Sequence, residues 1–262
     1  EPYFFGSDLT YRTPRLSRDE YLNLFAPASG VRRIGEASVT YLYSRLAAKE
    51  IKEFNENAKI IIMLRNPIEM IYALHSQVVF SGIEDITDFQ AALDAENERK
   101  RGERIPSKCH IVDFLYYRDF VRYADQVKRY RDIFGENVWI ILFDDFKKNV
   151  EGVYKDTLRF LDVDFSFQPN TFRVINQNKT HRNKWLIQLL QHPKVVQSTR
   201  FLIPSYTWRQ HLAEHVKRLT FRETKRTPMP EFLKKQLQEE FRGDIERLEE
   251  VIGRDLSVWY ID

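Results

Sequence analysis

The chain has 262 residues, 43% of them hydrophobic and 30% charged, enough to bury a sizeable core as one α/β domain and too apolar for intrinsic disorder. Forty-one basic against 38 acidic residues leave a net charge of +3, so bulk charge selects neither nucleic acid nor a membrane surface as partner. The single cysteine, Cys109, excludes an internal disulfide and a cysteine-based zinc site and suits a reducing cytosol, and no run approaches the ~18 apolar residues of a membrane span.

The chain opens on EPYFF without a methionine, which does not read as a natural start, so an upstream segment is expected to be missing. A helix is expected over residues 18–25, a strand over 31–37, a helix over 39–55 and a strand over 59–64. Helices follow at 67–80, 86–101 and 113–134, then a strand at 138–143 and a helix at 150–161. The continuous apolar runs IIIML and VWIILF predict strands buried on both faces, as in a parallel sheet flanked by helices. Helices at 185–191, 206–219 and 230–252 make the C-terminal third helical; the last opens on Pro230 and closes before Gly253. The closing GRDLSVWYID reads as a helix end followed by a docking aromatic tail. No linker divides residues 1–262, which read as one domain. The basic stretch 200–230 is either a solvated helix face with loops or a contact for an anionic acceptor.

The most informative segment is KIIIMLRNPIEMIYALHS, Lys59 to Ser76. A buried strand ends on Leu64, Arg65 and Asn66 form the turn, and Pro67 starts a helix, where its missing N–H and fixed φ cost nothing. Ligands of open α/β sheets bind at the carboxyl ends of parallel strands, and a guanidinium beside a helix N-terminus suits a phosphate dianion.

LRNPIEMIYA resembles the 3′-phosphate-binding motif of sulfotransferases that use 3′-phosphoadenosine 5′-phosphosulfate (PAPS), in the bacterial relatives of the glycosaminoglycan and carbohydrate branch. Ala73 stands where that motif usually has a serine; Ser76 lies one helical turn further on. EPYFF resembles the E-x-x-FF segment whose glutamate is the proposed base, GEASVTYL the GEKSPxYL segment, INQNKTHRN the late basic loop over the nucleotide, and GRDLSVW the terminal helix ending. VWIILFDDFKKNVEGVYKDTLRFLDVD resembles the family's valine-rich strand and following helix. These pieces span nearly the whole chain and occur in the family's order. The glycine-rich, lysine-bearing phosphosulfate loop would precede Glu1.

The resemblance implies a P-loop-like central parallel sheet lacking its N-terminal strand and loop, and sulfuryl transfer from PAPS to a hydroxyl or amine of a glycan or small molecule. Adenosine 3′,5′-bisphosphate is then the product, and no metal is needed. Glu1 is carried over as the base, its pKa expected to rise by desolvation beside Phe4 and Phe5. Arg65, Ser76, Lys179 and Arg182 are carried over as nucleotide ligands, with Asn176 and Asn178 in the same loop as the last two. Glu36 either faces the cleft or serves the following helix start. His75 either addresses the acceptor or is a structural hydrogen-bonder. Among Tyr116, Tyr117 and Arg118, beside the acceptor cleft of related enzymes, any could touch substrate. His211 and His215 are spaced i, i+4 but lack a third metal ligand. A PAP-binding relative without activity, motivated by Ala73 and Ala37, is the alternative, and a nucleotide kinase would need a GxxxxGK[ST] motif that is not present.

Overall fold

The structure is a computed structural model that describes residues 1–28, 30–169, 171–172 and 226–260, together with the backbone of two short strands, Lys179–His181 and Phe221–Glu223. The chain divides into two compact units, one of Glu1–Phe172 with Met229–Asp262, the other of Arg173–Pro228. In the second unit Lys179–His181 pairs antiparallel with Phe221–Glu223. The expected helices at 185–191 and 206–219 lie outside the described residues.

In the first unit β1 (Ile60–Leu64) and β2 (Val138–Leu142) pair in parallel, from Ile60 opposite Val138 to Leu64 opposite Leu142. The predicted burial on both faces is corrected for β1. Ile62 and Leu64 are buried, but the alternate residues Ile61 and Met63 are 42% and 47% exposed, because successive side chains point to opposite faces and the helices cover one of them. At β2 the second face is partly covered, where Phe160 stacks on Trp139. The predicted strand at 31–37 is irregular. Val31 and Ile34 are more than half exposed, so their branched side chains meet no sheet on which to pack.

The helices with strong local signals form as expected. Helix α1 (Arg18–Asn23) opens on a capping box of Ser17 and Glu20. The predicted helix over 39–55 breaks. A 3₁₀ turn, Val39–Tyr41, precedes α2 (Ala47–Phe54), and the Ser44 hydroxyl accepts from the backbone N–H of Leu46 and Ala47, offering the chain an alternative to continuous helix. Helix α3 (Pro67–Ser81) starts on the Asn66 cap and ends on Gly82, whose φ of 74° favours a residue without Cβ.

The predicted helix over 86–101 splits into α4 (Phe89–Asp94) and α5 (Glu96–Lys100). That over 113–134 splits into a 3₁₀ turn, Val112–Leu115, then α6 (Tyr117–Phe120) and α7 (Tyr123–Phe134). At the second break the Gln126 side chain donates to the carbonyls of Asp119 and Phe120, satisfying groups that a continuous helix would have used. The strand expected to run to Phe143 gives way to α8 (Phe143–Lys148), followed by α9 (Val150–Phe160).

The last helix, α10 (Glu231–Ile252), buries Leu233, Leu237, Phe241, Ile245, Leu248 and Ile252. This 4-4-4-3-4 spacing makes one apolar stripe, which packs on α7 and α3. The tail docks as expected. Trp259 is 3% exposed, its Nε1 donates to Asp144 at 3.0 Å, and its carbonyl accepts from Asn66 Nδ2 at 3.1 Å. Trp259→Ala is expected to cost about 3–5 kcal/mol of unfolding free energy in urea titration, because a large cavity replaces the ring and Asp144 Oδ2 loses its indole donor.

The result is a helix-rich α/β fold with a small parallel sheet. Among the described residues no helix is long and apolar enough to cross a membrane, and no group of three metal-ligating side chains converges. Cys109 is buried, and burial pushes its thiol pKa up.

Candidate functional site

Arg65 follows β1 at its carboxyl end, half-buried, with its guanidinium 5.2 Å from the centre of the Phe143 ring. Its Nε and Nη2 both donate to Glu69 Oε2, at 2.9 and 2.7 Å. The charge also reaches Tyr123, whose hydroxyl pKa is pushed up by burial and partly drawn back by Arg65.

The helix N-terminus beside Arg65 is less open than the sequence implied. Pro67 has no N–H, Asn66 Oδ1 accepts from Ile68 N and Glu69 N, and the Asn66 carbonyl accepts from Met70 N. A ligand arriving there meets the guanidinium and no spare backbone donor in that first turn.

Ser76 lies one turn beyond Ala73, about 4.5 Å further along the axis, and its hydroxyl donates to the Tyr72 carbonyl of its own helix at 2.9 Å. The Lys179 backbone lies in the second unit's ladder. Its side chain, like Arg182, Asn176 and Asn178, lies outside the described residues, as do His211 and His215.

Glu1 and Glu36 meet around one segment. Glu36 Oε1 accepts from the hydroxyls of Tyr21 and Tyr41 at 3.0 and 2.9 Å, and Oε2 from Ser38 at 2.7 Å. Tyr41 in turn accepts from Phe4 N and Phe5 N, and Ser38 from Tyr3 N. Glu36 is thus the hub that fixes the backbone of EPYFF. Burial and the Glu36 charge both push the Tyr21 hydroxyl pKa up.

Glu1 is exposed and accepts from Val39 N at 3.3 Å, and burial together with the nearby Glu1 carboxylate pushes the Tyr3 hydroxyl pKa up. The expected desolvation by Phe4 and Phe5 is corrected, because those rings turn into a cluster with Tyr21 and Phe54. Tyr3 holds a φ of 49°, a strained value for a non-glycine residue.

Glu1 and Tyr3 line an open cleft of about 410 Å³ with Tyr11, Arg15, His110 and Ile111. A single antiparallel bridge between Tyr11 and Ile111 and the bond from Thr10 N to the buried Asp113 carboxylate, at 2.8 Å, join its walls. Burial pushes the Asp113 pKa up. The Arg15 guanidinium lies 4.7 Å from the Tyr11 ring centre and donates to the carbonyls of Gly6 and Leu9. Arg15 and His110 line this candidate cleft and were not singled out from the sequence. They carry no motif, and only a contact across about 100 residues places them beside Glu1.

His75 and Tyr117 come together, but in the core. His75 is 4% exposed, its Nε2 lies 2.9 Å from the Ile86 carbonyl, and its ring packs against Phe89 and Tyr117. Burial holds its pKa below the ordinary histidine value. The Tyr117 ring is fully buried and its hydroxyl donates to Glu84 at 2.7 Å. These placements fit the structural alternative for His75 and remove Tyr117 from any solvent-filled cleft. Its neighbours differ: Tyr116 is half-buried, and Arg118 is paired with Glu96 and Glu240.

No family model matches the chain, and no curated protein matches it. Among solved structures, a sulfotransferase from Alicyclobacillus acidocaldarius is similar at 28% sequence identity with a TM-score of 0.72, over 100% of this chain and 86% of that one. The helix-rich fold with its small parallel sheet is thus consistent with the fold of a bacterial sulfotransferase, and the likeness favours sulfuryl transfer in general as the chemistry to test.

Proposed function

We propose that the chain transfers a sulfuryl group from PAPS to a hydroxyl or amine of a carbohydrate or small-molecule acceptor. The observation that carries this reading is Arg65, a half-buried guanidinium at the carboxyl end of β1 whose Nη1 has no partner among the described residues. It fits a phosphate by charge and by donor geometry, and the Arg-Asn-Pro turn that holds it is the one the family uses for the 3′-phosphate.

The donor supplies an activated sulfuryl group. The acceptor oxygen or nitrogen forms the new bond to sulfur as the bond to the phosphate oxygen breaks, and that oxygen keeps the electron pair. Glu1, held by Val39 N in the lining of the cleft, takes the acceptor proton. Arg15 and His110 would orient the acceptor on the same cleft. Glu36 acts through the backbone of EPYFF and is a positioning residue. Ser76, Lys179 and Arg182 enter by resemblance as further nucleotide ligands. The buried lone cysteine suits a cytoplasmic setting.

Calorimetric titration with adenosine 3′,5′-bisphosphate tests the reading. The protein is expected to bind, and Arg65→Ala to weaken binding by about 1.5–3 kcal/mol, the worth of a hydrogen bond to a charged group. Absence of binding to the unaltered protein would sink it. Ala73, which leaves the motif without its usual hydroxyl, favours a second reading, a nucleotide-binding relative without activity. Binding with no transfer of radiolabelled sulfate to sugars, phenols or amines would select it.

A further inference from the structure

We infer that Glu69 is a resident anion that competes with the nucleotide phosphate for Arg65, and so sets how tightly the spent nucleotide is held. The inference rests on the proposed role of Arg65. That guanidinium has two edges able to grip an anion with paired N–H groups, Nε with Nη2 and Nη1 with Nη2, and Nε and Nη2 both donate to one oxygen of Glu69, at 2.9 and 2.7 Å. The first turn of α3 offers no alternative donor, since Asn66 has taken the N–H groups of Ile68, Glu69 and Met70 and Pro67 has none. A phosphate bound here must share Arg65 with the carboxylate or displace it.

Displacement is easy. The Glu69 side chain is 51% exposed, so it can swing into solvent, while the contact with Phe143 keeps the guanidinium in place. Glu69 could instead be read as a positioning residue that pre-organises Arg65, and the two roles predict opposite effects. Magnitudes decide between them. An exposed i, i+4 ion pair restrains its partners by about a factor of two. A carboxylate and a phosphate dianion sharing one guanidinium, ~6 Å apart, repel each other by about tenfold even at the dielectric constant of water. Competition outweighs positioning.

Glu69→Gln removes the charge and keeps an oxygen that can still accept from Arg65. Calorimetric titration with adenosine 3′,5′-bisphosphate is expected to show about three- to tenfold tighter binding for Glu69→Gln, and stopped-flow displacement a correspondingly slower release. In an Arg65→Ala background the same change is expected to give no gain, which a double-mutant cycle reads directly. Thermal melts of each variant check that the exposed substitution leaves the fold intact. Equal or weaker binding by Glu69→Gln, with the unaltered protein binding and Arg65→Ala impaired, would overturn the competitor role and leave the proposed function standing. A gain that persists without Arg65 would overturn it too. If neither the unaltered protein nor Glu69→Gln binds the nucleotide, the proposed function falls and the inference with it.

Discussion

Glu84→Ala is expected to lower the unfolding free energy by about 3–5 kcal/mol, the cost of leaving a buried charge without its partner. Glu84 lies just after Gly82, and its carboxylate accepts from Arg99 Nη2 and the Tyr117 hydroxyl, both at 2.7 Å, and from the N–H groups of Asp85 and Ile86, both at 2.9 Å. Both charged side chains are 0% exposed. Removing the carboxylate would strand a guanidinium whose Nε already has no partner among the described residues, together with a phenol and two backbone donors. Surface pairs such as Lys49 with Glu53 are expected to be worth ~0.5 kcal/mol or less. The double change Glu84→Leu with Arg99→Met should recover part of the loss, since it leaves no buried charge. A urea titration in which Glu84→Ala loses under ~1 kcal/mol would mean that water reaches the pair.

The same network gives stability a pH dependence. Burial alone would raise the Glu84 pKa, but Arg99, the Ile86 N–H and Tyr117 together outweigh it and hold the carboxyl below its ordinary value. A depressed folded pKa means that the stabilisation is present above the unfolded value of about 4.3 and is lost as pH falls through the folded one. His75, whose pKa burial depresses, adds a loss of the same sign beginning below about pH 6.5.

Glu1→Gln is expected to cut sulfuryl transfer by about 10²–10⁴-fold, the usual worth of a positioned general base, with unchanged affinity for adenosine 3′,5′-bisphosphate. The amide keeps the shape of the carboxylate and an oxygen for Val39 N, so the EPYFF backbone, which is held by Glu36, Ser38 and Tyr41, should not move. Loss of rate would then report loss of the base. Initial rates with PAPS and an acceptor selected from a panel provide the measurement. A variant within tenfold of the unaltered rate would place the base elsewhere, with His110 on the same cleft the next group to replace.

Much of the local structure was legible. The run of branched residues before Arg65 read as a strand, though not as one with an exposed face, Asn66-Pro67 could only begin a helix well, and the apolar stripe ending at Gly253 marked a long docked helix. The breaks in the helices predicted over 39–55 and 113–134 were not legible. Ser44 and Gln126 are ordinary helix residues by pattern, and they interrupt only because of the groups their side chains bond. Glu36 was singled out as a carboxylate near the cleft, but its hydroxyl partners include Tyr21, 15 residues away, which no motif joins to it. The i, i+4 spacing of Arg65 and Glu69 was visible and unused.

The sequence by itself determined the strand, the Arg-Asn-Pro turn, the helix that follows and the tail that packs beside them, because each is set by backbone constraints and side-chain periodicity within a few residues. Only the tertiary structure decided that the Arg65 fork is held by Glu69 with no spare helix donors, that His75 and Tyr117 point into the core, and that Glu1 faces a cleft shared with Arg15 and His110. Those outcomes depend on which polar groups find partners far apart in the chain, such as Thr10 and Asp113, 103 residues apart. An unpaired donor in the core costs free energy wherever its partner lies in the chain.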